Sequence, residues 1–182
     1  MLKNTLLALA LLVICNAGRT QLYITTNGFA GFYSKTPLED IKAENNQVFA
    51  VVDVAKKSLA FSMLLNGFVF PKELMQEHFN ENYVESDKYP KATFTGAYTD
   101  DVDLGKGQEV TLHVNGTLTL HGVSKPVATT ATLHLTGGVL TGTASLQLVP
   151  ADFNIAIPGL VKEKIASKID VHITINCKPR NK

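Results

Sequence analysis

Tryptophan is absent from the 182 residues, cysteine occurs twice, and charged residues make up only 18%. Each scarcity removes a class of function. Two cysteines cannot build a four-thiolate structural zinc site. No apolar run reaches the roughly 20 residues a helical membrane span needs. Base and acid nearly balance, and a nucleic-acid binder needs a basic face to neutralise phosphates. The only like-charged cluster, Lys178, Arg180 and Lys182, reads as a solvated tail. No phosphate-binding loop, dinucleotide fingerprint or GxSxG nucleophile elbow is present, so no motif names a cofactor or a reaction. No repeat of 20–50 residues, low-complexity segment or linker divides the chain.

What is present begins with Lys3, the apolar run Leu6 to Ile14, and the small residues Ala17 and Gly18. A positive start, a short apolar stretch and a small-residue exit read as a secretory signal peptide over residues 1–17. Cleavage after Ala17 is expected, with a site just before Gln21 as the alternative. Bulky Ile14 argues against lipid attachment at Cys15. Removing the segment takes away Lys3 alone among the charges and leaves 16 basic residues facing 16 acidic ones. Cys177 then has no intrachain partner, so one domain, 21–178, is held by its core in a periplasmic or secreted setting. No feature names a partner chain.

Most of that domain alternates with period two. Val110, Leu112, Val114, Gly116, Leu118 and Leu120 interleave with polar residues, as a strand with one buried face does. The same pattern recurs through Val127–Leu135, Leu140–Leu148 and Ile169–Cys177, with Gly137-Gly138 as a tight hairpin turn. Valine and threonine enrichment predicts further strands near 21–26, 29–35, 46–54, 58–65 and 92–99. An all-β domain of about eight or nine antiparallel strands follows, closing as a barrel or packing as a sandwich. Helical spacing predicts one helix near 71–83, opened by Pro71, and a short one near 160–167 after Pro158-Gly159.

The stretch "LMQEHFNENY", 74–83, carries Glu77, His78 and Glu81 in little more than one turn and so raises a metal site. At about 100° per residue, Leu74, Met75, His78 and Phe79 share one side while Glu73 and Glu77 face the other. Ligands that face opposite ways cannot share an ion, and the spacing matches no zincin pattern, so no metal is expected. The wheel predicts His78 buried, either bonded within the core or lining a pocket. His113, His134 and His172 fall on polar strand faces, and His121 falls in a turn.

Three segments resemble the YceI-like family of extracytoplasmic lipid-binding proteins: "MQEHFNENYVESDKYPKATFTG", "GTLTLHGVSKPV" and "ADFNIAIPG". The matching positions in the first are His78, Tyr83, Tyr89-Pro90 and Phe94. The segment "FYSKTPLEDIKAENNQV", 32–48, is similar to the branch common in Bacteroidetes-type bacteria. The resemblance covers about 21–178. It departs at Asn154, where the family often has glycine, and in the missing tryptophan of the first strand. It implies a lipocalin-like antiparallel barrel that carries a long apolar lipid, such as a polyisoprenoid or fatty-acid derivative, without catalysis. A closed structural or partner-binding barrel is the alternative, followed by an enzyme using His78 as acid or base.

On that reading the cavity is lined by Phe32, Phe61, Met63, Leu74, His78, Phe79, Tyr83, Phe94, Leu118 and Leu133. Small inward residues, Gly116, Ala131, Gly142 and Ala144, are expected to leave it room.

Overall fold

The computed structural model describes residues 22–104 and 107–180. The segment read as a signal peptide, 1–17, lies outside them, so its expected removal is a matter for experiment. Eight antiparallel strands close into a barrel in sequence order: β1 (Leu22–Lys35), β2 (Asp40–Asp53), β3 (Ser58–Leu64), β4 (Lys91–Tyr98), β5 (Val110–Leu120), β6 (Val123–Thr136), β7 (Val139–Leu148) and β8 (Ile169–Pro179). β1 pairs with β8 to complete the closure. With every strand paired on both sides, the barrel has no edge open to aggregation.

The two expected strands 21–26 and 29–35 are one strand, and β2 begins at Asp40 rather than near 46. A shared bulge explains both differences. The β1–β2 register shifts between Thr25 and Gly28 and again between Gly28 and Ala30. Tyr23 and Thr25 are buried before the shift, Ala30 and Ser34 after it, so the inward parity changes from odd to even. β2 changes with it, from buried Ala43 and Asn45 to buried Val48, Ala50 and Val52. An extra residue in one strand reverses which side chains face inward, and a strict period-two reading then breaks there. Gly28 sits at the bulge because a Cβ would come 3.1 Å from the Val48 carbonyl oxygen.

Up-and-down connectivity sorts the loops into two ends. One end carries 54–57, 99–104, 107–109 and the Gly137-Gly138 turn, whose φ values of 58° and 80° suit glycine. It is sealed by an apolar floor that includes Tyr23, Tyr98, Leu104, Leu112, Leu140 and Cys177. The other end carries 36–39, the long excursion 65–90, the His121-Gly122 turn and 149–168.

The excursion holds α1 (Glu73–His78), continued by a π-helical turn Phe79–Tyr83. Val69 and Glu44 exchange two backbone hydrogen bonds, 2.8 and 3.1 Å, which pin it to β2. Fully buried Asn45 donates to the Leu64 carbonyl at 2.8 Å and accepts from the Gln47 N–H at 2.8 Å. The expected helix near 160–167 is only a 3-10 turn, Gly159–Val161. The Ala166 N–H is drawn to Ser34 Oγ at 2.8 Å, so the turn does not propagate.

Candidate ligand cavity

The barrel encloses a cavity of about 560 Å³, within the range of small-molecule sites. It runs from the floor to the end that carries α1. All ten residues expected from the sequence line it. Phe32 comes from β1, Phe61 and Met63 from β3, Phe94 from β4, Leu118 from β5 and Leu133 from β6. Leu74 and His78 come from α1, and Phe79 and Tyr83 from the π turn.

None of the four residues that the helical wheel predicts as buried, Leu74, Met75, His78 and Phe79, is fully so, and Met75 and Phe79 are only half-buried. Leu74 is 60% exposed, and His78 is exposed too. The wheel assumes that an apolar stripe packs on a closed core. α1 instead lies across the rim, so its stripe borders an opening. The π turn adds a residue to the turn that follows and carries Phe79, Tyr83 and buried Val84 inward. Glu73 and Glu77 are exposed, as expected. Among the described residues the His78 ring makes no hydrogen bond, and no three His, Cys, Asp or Glu side chains gather as a metal site would require.

Phe68 and Phe70 also line the cavity and were not anticipated. Both pack on Phe79, at ring-centroid distances of 5.6 and 5.1 Å, and Phe32 stacks on Phe79 at 5.5 Å with 30° between planes. The alternation in "GFVFP", 67–71, was the signal for them. The room expected from small residues is partly filled. A Cβ on Gly116 would lie 2.4 Å from Phe94 Cζ, and one on Gly142 would lie 2.9 Å from Ile175 Cγ1. The Phe94 ring therefore reaches over Gly96 and Gly116 and occupies the space those glycines leave. Ala131 and Ala144 do border the cavity.

The chemistry of the wall is apolar, and its charged or titratable members are Glu39, Lys72, His78, Tyr83 and Lys164. Burial pushes the Tyr83 phenol above its usual range. Lys72 pairs with Glu39 at 3.0 Å. At the floor, burial pushes the Cys177 thiol up to about 11. The remaining histidines lie outside the cavity. His113 accompanies Asp100 at 3.1 Å on the surface. His134 Nε2 donates to the Gly107 carbonyl at 3.1 Å. Ser145 Oγ and His172 Nδ1 are 2.8 Å apart on the outer face, but no described residue hydrogen-bonds the other ring nitrogen, so nothing orients a base there.

A sequence model of the YceI-like domain matches residues 23–177. No curated protein sequence matches the chain. Several solved structures share its fold, among them the following three. A polyisoprenoid-binding domain from Saccharophagus degradans, implicated in plant cell wall breakdown, aligns with a TM-score of 0.75 at 17% identity, over 89% of this chain and 100% of that one. BcnA from Burkholderia cenocepacia aligns at 0.70 and 18% identity, over 81% and 94%. A YCEI protein from Campylobacter jejuni aligns at 0.59 and 19% identity, over 77% and 85%.

Proposed function

This chain belongs to the YceI-like family, and on that premise we propose that it is a non-catalytic carrier of a single long apolar lipid, a polyisoprenoid or fatty-acid derivative. The observation that carries the reading is the blind-ended apolar cavity, floored by buried aliphatic and aromatic side chains and charged only toward one end. Apolar surface removed from water contributes about 25 cal/mol per Å², so such a wall holds a chain without any specific bond. The polyisoprenoid-binding domain of similar fold supports the ligand class. The proposed site of action is outside the cytoplasm, in the periplasm or beyond, after loss of residues 1–17.

An enzyme built on His78 would need a second titratable group within hydrogen-bond reach. Among the described residues the His78 ring has no such bond, and this favours carriage over catalysis. Calorimetric titration of delipidated protein with geranylgeraniol and with palmitate tests the proposal. One-to-one saturable binding is expected, with a large negative heat-capacity change from apolar burial. Absence of saturable binding for both chains would refute it.

A further inference from the structure

Two groups at the cavity's open end have bonding capacity that the described residues leave unused. Ser34 is 2% exposed and points into the cavity from the end of β1. Its oxygen accepts the Ala166 N–H at 2.8 Å, but its own O–H finds no acceptor among the described residues. A buried hydroxyl with an unused donor is uncommon, because leaving it unmade costs about as much as a lost hydrogen bond. The bond to Ala166 also places the 159–167 segment against β1, and Lys164, two residues earlier, lines the same cavity. The Lys164 ammonium has no hydrogen bond or ion pair among the described residues.

The charge pattern of the opening agrees. The cavity's carboxylate is Glu39, and it is occupied by Lys72 at 3.0 Å. Lys164 is left as an uncompensated cation on the same cavity wall that carries the Ser34 hydroxyl, a wall otherwise mostly apolar. Resting on the carrier reading, we propose that the carried lipid has an anionic head, a carboxylate or a phosphate, which accepts from the Ser34 hydroxyl and pairs with Lys164. The apolar chain then points to the floor and the head to solvent. Donors aimed at an anion give charge-assisted bonds, roughly twice as strong as neutral ones.

The test uses delipidated full-length mature protein and three probes of equal chain length: palmitate, hexadecyl phosphate and hexadecanol. At low salt at least one acid is expected to bind about fivefold tighter than the alcohol, as a partly solvated ion pair would give. Palmitate leading indicates a carboxylate head, and hexadecyl phosphate leading indicates a phosphate. Lys164→Gln, which touches no hydrogen bond of the fold, should bring acid and alcohol to within about twofold while leaving the alcohol unchanged. Ser34→Ala should act in the same direction, and circular dichroism checks that it folds. Equal binding of acids and alcohol to the unsubstituted protein would overturn the anionic head and leave the carrier reading standing. A preference for acids that survives Lys164→Gln would overturn this site. Failure of all three probes to bind would overturn the anionic head, and the carrier reading would fall with it only if geranylgeraniol also failed to bind.

Discussion

His121 Nε2 lies 2.7 Å from the Glu85 carboxylate, and both residues hold left-handed backbone, at φ 51° and 45°. The other ring nitrogen, Nδ1, donates to the Phe153 carbonyl at 3.0 Å. Tyr89 packs edge-on against the imidazole at 4.5 Å and covers Gly122, whose Cβ would come 2.6 Å from the ring. One side chain thus ties together the segment after α1, the β5–β6 turn and the 150–153 turn. All three border the same end of the barrel. Asn154, next to Phe153, is left-handed as well, at φ 57°. Asparagine tolerates that conformation, which accounts for asparagine where the family often has glycine.

His121→Asn keeps a residue that accepts left-handed backbone but cannot span both partners. The substitution is expected to destabilise the fold by about 2 kcal/mol, the usual worth of a charge-assisted bond with a second one lost beside it. Denaturant unfolding measures it. A loss below measurement error would mean that the clip is incidental.

Gly116→Ala should be poorly tolerated, because the new methyl meets the Phe94 ring at 2.4 Å and the Thr95 carbonyl oxygen at 2.5 Å. A loss of about 2 kcal/mol is expected from overpacking. Adding Phe94→Ala should restore only part of it, since the backbone contact remains. Full restoration in thermal unfolding would show that Thr95 yields easily.

Phe79→Ala removes a ring that touches Phe32, Phe68 and Phe70. The expected stability loss is about 2 kcal/mol, reduced from a full core value because Phe79 is half-buried. Chain affinity should fall about tenfold through lost apolar contact. An unchanged affinity by the same calorimetric titration would place the ligand elsewhere.

Burial holds the Cys177 thiol neutral up to about 11 against an ordinary value of 9.0. Its contribution to stability is complete below the unfolded-state value and fades as pH rises from 9.0 toward 11. Cys177→Val should therefore lose less stability than the parent across that window, by about 2 kcal/mol. The comparison isolates the thiol from tyrosines and lysines that titrate in the same range. Native protein should also resist thiol reagents at pH 8, and fast labelling would contradict the burial.

The barrel was legible because one-sided burial imposes period two on a strand, and β5 to β8 follow it without a break. The bulge that reverses parity in β1 and β2 was not legible. It depends on two strands shifting together, and neither strand alone shows it. That the ten residues line the cavity was legible, but the depth of Leu74, Met75, His78 and Phe79 was not. A helical wheel gives direction relative to a neighbour and does not say whether that neighbour is core or opening. His121 was read as one more turn residue. Its partners, Glu85 and Phe153, stand 36 and 32 positions away. The three segments that carried the family resemblance each supply a piece of that cluster, through Glu85 and Tyr89, through His121-Gly122 and through Phe153. Read singly, none of them shows the others.

Native mass spectrometry of the mature protein purified from its own host tests the carrier claim most directly. The account predicts a species heavier than the polypeptide by one lipid, lost under denaturing conditions, on a chain that no longer carries Met1. Protein that emerges ligand-free from every preparation and takes up no added long-chain lipid would contradict it.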